Sequence, residues 1–158
     1  MDYLENANVV HPMDITLVAG RLLLAWIFLH EGVALALNFD AAVIAMAKLG
    51  VSELLVVAVI ALQVAAGLSI TLGLLTRLGA LSLGLFCLST ALMFHNDFAN
   101  HNEILHFEKD LAIAGGMFVL VTTGAGALSV DRFLERRIMA SDDKARKPLR
   151  RVIERGIL

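Results

Sequence analysis

Charge is what this sequence has least of. Asp, Glu, Lys and Arg make up 18% of its 158 residues, against roughly 25% in ordinary soluble domains. A single cysteine, Cys87, excludes a disulfide scaffold. Two prolines, Pro12 and Pro148, leave room for long unbroken helices. There is no Cys-x-x-Cys, no His-Glu-x-x-His and no glycine-rich loop placed between a strand and a helix. Zinc hydrolase, thioredoxin-like and nucleotide-binding readings therefore have no motif to stand on. A net charge of −2 gives nucleic acid no basic surface to meet.

Apolar residues fill the space that charge leaves. They are 58% of the chain, and its mean hydropathy is +0.77. The length allows one domain. Its apolar residues are gathered in runs: Leu54 to Leu75, Leu78 to Phe94 and Leu111 to Val130 carry essentially no charge. Each approaches the roughly 20 residues that a bilayer crossing requires. A fourth run, Ile15 to Leu37, contains Arg21, His30 and Glu31. Arg21 stands near one end and is expected to snorkel toward water. These runs predict an all-α membrane four-helix bundle with spans at 15–37, 54–75, 78–94 and 111–130. The segment before the first run has three acids and no Lys or Arg, and no small-residue cleavage pattern follows the run, so it reads as a retained span and not a signal peptide.

Basic residues set the expected direction. With both termini on one side, that side holds Arg21, Arg77 and nine basic residues from Arg132 to Arg155, while the other holds Lys48 and Lys109. The bias places both termini in the cytoplasm of a multi-pass inner membrane protein. The chain divides into a cytoplasmic segment at 1–14, a membrane domain at 15–134 and a basic tail at 135–158. Thr76-Arg77 reads as a tight turn between antiparallel helices, and His95 to Lys109 as a polar outer loop. Ala41 to Leu49 and Val130 to Met139 read as short interfacial helices, with Gly50 ending the first. Small residues at Ala61, Ala65, Ser69 and Gly73, and at Ala112 and Gly116, mark expected helix contacts.

Polar residues inside apolar runs are costly, by at least about 2.5 kcal/mol for a charge at mid-bilayer. His30 lies about 10 Å below the outer end of the first run, with Glu31 beside it, and Gln63 lies about 15 Å into the second. His95, Lys109 and Asp110 lie at the same outer end. Three uses are open for this group: pairing that orients the helices, a ligand or quinone pocket, or a proton path. His95, His101 and His106 with nearby acids offer imidazole and carboxylate to a metal, but their spacing matches no established metal motif. Cys87 lies mid-run without an activator and reads as a small core residue.

The ordered motifs resemble those of the DoxX family. They are Arg21 through Gly32 (RLLLAWIFLHEG), Gly67 through Arg77 (GLSITLGLLTR), Phe94-His95, Lys109 through Gly116 (KDLAIAGG) and Leu128 through Asp131 (LSVD). The match covers about Ile15 to Leu134. It departs at Val33 to Leu37, apolar where many members carry a lysine, and at Gln63, where many carry a glutamate. The resemblance implies a small four-helix membrane protein. Some members are subunits of thiosulfate:quinone oxidoreductases, and others join membrane complexes linked to redox stress. It thus implies an accessory subunit of a redox-linked complex, with quinone as a ligand and a partner subunit or a second copy of the chain beside it. A non-catalytic scaffold or anchoring subunit is the alternative.

Overall fold

The computed structural model describes residues 12–94 and 98–141. All the regular structure among them is helical: α1 (Pro12–Leu37), α2 (Phe39–Ala47), α3 (Glu53–Leu72), α4 (Thr76–Phe94), α5 (His101–Thr123) and α6 (130–141). In packing order, α1 lies on α3, α3 on α4 and α4 on α5, and α5 touches α1 again.

Each long helix buries one narrow stripe. On α1 it is Asp14, Arg21, Ala25, Phe28 and Gly32. On α3 it is Val56, Gln63, Ala66, Gly67 and Ile70. These positions recur at helical spacing, so each forms a single seam. The core where the seams meet is built from Ala25, Ala66, Ala80 and Ala114 as much as from Ile70, Leu83 and Met117. Such small residues let backbones approach closely. A Cβ on Gly67 would stand 2.9 Å from Leu29, and one on Gly84 would stand 3.0 Å from Phe118. Cys87 is buried in this core, as its position mid-run implied.

The outward faces are as apolar as the core. Leu22, Leu23 and Trp26 of α1, Leu54 and Leu72 of α3, and Leu78 and Leu92 of α4 are all exposed. An apolar face this continuous has lipid as its natural solvent. By length and composition α1, α3 and α4 are each able to cross a membrane.

The fourth helix differs from expectation at both ends. Residues 101–109 are not loop: they are the opening turns of α5. The side chain of Asn100 accepts the Asn102 N–H at 3.0 Å and caps the helix there. Asn100 followed by Glu103 is the spacing of a capping box. The rings of Phe98 and Phe107 meet edge to face, at 5.4 Å between centres, beside the opening turns of α5. At the other end the helix stops at Thr123, seven residues short of Val130. Gly124 and Gly126, at φ of 71° and 78°, turn the chain out of the helix. The apolar run therefore finishes as a folded loop, and α6 follows at an offset and not as a direct continuation. The helix expected at Val130 to Met139 is thus present.

The α3–α4 turn also lies earlier than Thr76-Arg77. Gly73, at φ 71°, ends α3, and Thr76 is already the first residue of α4. Gly73 N–H bonds Ile70 O and Leu74 N–H bonds Ser69 O, the paired bonds of a Schellman close. The Ser69 hydroxyl donates to Leu74 O as well. The helix expected within Ala41 to Leu49 is α2, closed by a turn in which Gly50 takes a positive φ of 77°. The small-residue stripe is only partly a contact face: Ala61, Ala65 and Ala112 are exposed, while Gly73 is buried and Gly116 sits against Leu24.

Gly73 and Gly115 give a matched test of this fold. A Cβ on Gly73 would come within 2.6 Å of the Ser129 Cβ on a left-handed backbone, whereas one on Gly115 meets nothing within 4 Å. In detergent, Gly73→Ala is expected to lower stability by roughly 1–3 kcal/mol. Gly115→Ala is expected to be neutral or to raise it by up to about 1 kcal/mol. Thermal unfolding of the two purified variants against the parent checks both.

Candidate functional site

The polar residues expected to share the outer side do not converge. His30 and Glu31 stand on the outside of α1, their side chains 61% and 59% exposed, with His30 Nδ1 3.8 Å from Glu31 Oε1. The His30 ring stacks on Trp26, with centroids 6.2 Å apart. Gln63 is buried elsewhere, against Gly32, whose Cβ would lie 3.1 Å from the Gln63 Cβ. Two positions along a helix is about 200° of rotation, so Gln63 and His30 lie on opposite sides of α1. Gln63 Oε1 is buried and has no hydrogen-bond partner among the described residues.

The start of α5 makes two further contacts. Asp110 Oδ2 accepts from the Thr90 hydroxyl at 3.0 Å, joining α5 to α4. Lys109 Nζ lies 3.3 Å from His106 Nδ1 on the exposed side. His101 is exposed, and His95 lies outside the described residues. Among the described residues no three His, Cys, Asp or Glu side chains gather where one metal ion could be held.

A denser polar site is built at the other end of the molecule, from segments far apart in sequence. Arg21 does not snorkel. It is buried, and its guanidinium donates to Ala125 O at 2.7 Å, while its Nε has no partner among the described residues. Asp14, expected in a cytoplasmic segment, is buried in the first turn of α1 and accepts the Ala127 N–H at 3.4 Å. Asp131 reaches across to the α3–α4 turn. Its carboxylate accepts the Leu75 N–H at 3.0 Å and the Thr76 N–H at 3.5 Å, and its own N–H donates to Gly73 O. An acid at this place caps the N-terminus of α4 and meets the positive end of its dipole. It also holds Leu75 at φ 52°, a left-handed backbone that leucine rarely adopts. Ser129 accepts the Arg132 N–H at 3.2 Å and caps α6.

A cavity of about 720 Å³ lies over this knot, lined among others by Arg77, Gly124, Asp131, Arg132 and Glu135. That is the size of a small-molecule site. The motifs that carried the resemblance therefore meet in space: Arg21, the Gly73–Arg77 turn and the Leu128–Asp131 stretch form one hydrogen-bonded unit.

The comparisons with known proteins agree with those motifs. The DoxX family model matches residues 16–96. The inner membrane protein YqjF of Escherichia coli is 36% identical over 124 residues, covering 78% of this chain and 95% of that protein. The chain belongs to the DoxX family. A second relative, the inner membrane protein YphA of Escherichia coli, is 33% identical over 125 residues, 75% of this chain and 89% of that protein. No solved structure matches the chain. With three helices suited to crossing a membrane, this DoxX protein is an integral protein of the inner membrane.

Reading 111–130 as one unbroken helix leaves no place for the cavity or for the contacts that Asp14 and Asp131 make. Two glycines two residues apart, Gly124 and Gly126, were the available signal. Gly-Ala-Gly inside an apolar run is a breaker before it is a span.

Two buried polar side chains of this DoxX protein separate structural pairing from other roles. Arg21→Met strips Ala125 O of its donor and is expected to cost about 1–3 kcal/mol. Gln63→Met removes an oxygen that has no partner and is expected to cost less than about 1 kcal/mol or to stabilise. Apparent melting temperatures in one detergent decide the ranking; the reverse order would overturn the assignment of Arg21 as the tie.

Proposed function

We propose that the chain is a four-span membrane subunit of a redox-linked complex, with both termini in the cytoplasm and the partner held in the bilayer against α1. The carrying observation is the Trp26–His30–Glu31 patch. Two ionisable side chains stand about 60% exposed on a helix whose nearby outward residues include Leu22, Leu23, Val33 and Leu37. Bare to lipid, an acid there is costly. Covered by a partner with a donor of its own, it becomes a directional contact. The chain has a single cysteine, Cys87, buried and free, so in this reading electrons belong to the partner. The DoxX membership supports the redox setting. In this reading α5 is the fourth membrane element: its acidic first turns lie at the outer surface, its apolar part from Leu111 to Thr123 gives about 20 Å of helix, and the folded loop after Thr123, packed on protein, completes the passage. Segments 1–14 and 135–158 flank the spans on the cytoplasmic side.

A second reading uses the same patch. It opens onto the bilayer, where a quinone head arrives from. The Trp26 ring offers a stacking face, His30 a hydrogen-bond donor, and Glu31 at 3.8 Å a proton acceptor beside it. A pure scaffold needs the patch for assembly alone.

Purification from native membranes separates these readings. Wild type is expected to bring down a flavin-, haem- or sulfur-handling partner. The double variant His30→Leu with Glu31→Leu, which suits lipid better than the native pair, is expected to fold and to lose that partner by at least about tenfold. Loss of assembly without loss of turnover per assembled complex favours the scaffold. Quinone binding by the purified chain that disappears in His30→Ala favours the second reading. Retention of the partner by the double variant sinks the docking role of α1.

Direction is tested separately. Cysteines placed at Ala99 and at Ser141 in intact cells are expected to label from outside at 99 and not at 141. Cys87, buried in the core, is expected to give little background. The opposite pattern inverts the orientation.

A further inference from the structure

The cavity over the Asp131 knot is not alone. A second hollow of about 530 Å³ runs between α3 and α4, lined by Leu62, Ala65, Ser69, Gly79, Ser82 and Leu85. Leu75 and Leu78 line both, so the polar cavity and the apolar groove are neighbours. From Leu78 to Leu85 the groove runs about 10 Å along α4, away from the polar end and toward the middle of the helix. Its floor is made of small residues, and leucines stand at its edges: Leu78 is 64% exposed and Leu85 is 50% exposed.

The cavity is lined by two cations and two anions, but they are not paired one to one. Asp131 is engaged with the Leu75 and Thr76 N–H groups. Arg132 pairs with Glu135 at 3.1 Å. Arg77 lies along Gly124, where a Cβ would come 3.2 Å from its Nε. Among the described residues its guanidinium makes no hydrogen bond or ion pair. Thr76, fully buried, also lines the cavity, and its hydroxyl is without a partner among them. A cationic fork over an apolar channel fits one ligand chemistry: a phosphate ester carrying an acyl chain.

We propose that this double hollow binds one anionic phospholipid, its phosphate on Arg77 and one acyl chain in the α3–α4 groove. The proposal requires only that the chain lies in a bilayer, and it is independent of the partner reading above. Guanidinium is the side chain best shaped for phosphate. A lipid there would seal the break between α5 and α6, where Gly124 and Ala125 leave the helix next to a membrane surface.

Native mass spectrometry of the full chain, released from detergent with defined lipids added, is the test. Wild type is expected to retain phosphatidylglycerol over phosphatidylcholine. Arg77→Gln is expected to lose that retention by about tenfold, the weight of one charge-assisted hydrogen bond. Ala65→Phe, on an exposed wall of the groove, is expected to lose it as well, and Lys48→Gln, remote from the cavity, to keep it. Circular dichroism and gel filtration check that each variant is folded. Competition on wild type needs no variant: glycerol 3-phosphate at millimolar concentration is expected to leave the lipid bound, because the chain contributes to its hold. Equal retention of the two lipids, or full retention by Arg77→Gln, overturns the site. Loss in Arg77→Gln with full retention in Ala65→Phe, or displacement by glycerol 3-phosphate, overturns the lipid and leaves a soluble phosphate as the ligand.

Discussion

The carboxylate of Asp131 joins parts of the chain that have no other reason to stay together. It bonds two N–H groups of the α3–α4 turn, 55 and 56 residues earlier in sequence, while its backbone N–H bonds Gly73 O. Those donors are among the orphan N–H groups at the start of α4. In a bilayer no water stands ready to satisfy such groups in the hydrocarbon. One side chain therefore closes a helix end, fixes a left-handed leucine and sets the entry of α6. Arg21 and Asp14 repeat the device from α1: the first holds Ala125 O and the second receives the Ala127 N–H. Between them, Arg21 and Asp14 bond two backbone groups of the irregular segment after Thr123, and Asp131 bonds two of the α3–α4 turn.

This arrangement explains why an arginine and two acids are affordable in so apolar a chain. A buried charge is unfavourable unless hydrogen bonds compensate it, and here the compensation comes from main-chain groups that would otherwise be unpaired. The outer half of α1 is built on the opposite plan. His30 and Glu31 are turned outward, away from the seam that buries Ala25, Phe28 and Gly32. Polar atoms facing in serve the fold. Those of His30 and Glu31 face out and take no part in the seam.

Much of the architecture was legible in the sequence because lipid imposes long apolar runs. The helical class, the three spans of α1, α3 and α4, the two short helices and the family all followed from run lengths and from motif order. What failed was local. Arg21 stands near a helix end, where snorkelling is the ordinary outcome, and only a contact 104 residues away keeps it buried. The α5 boundaries moved because hydropathy cannot see a cap. Asn100 and Glu103 start the helix well before the apolar run, and Gly124 stops it before the run ends. The outer site was read from depth alone. Equal depth does not place two side chains on one face, and the rotation between His30 and Gly32 sends Gln63 to the other side of α1.

The break in the last long helix then has a physical purpose. A straight α5 running to Val130 would carry the chain past the α3–α4 turn without touching it. By stopping at Thr123 and folding six residues back over that turn, the chain brings Asp131 and Ala125 to the partners that need them. It also leaves Arg77 facing a cavity in place of a packed helix. Straight helices alone would give this protein an apolar seam and nothing more. The folded segment after Thr123 makes one end of the bundle polar and hydrogen-bonded and leaves a cavity over it, while the seam itself is mostly apolar.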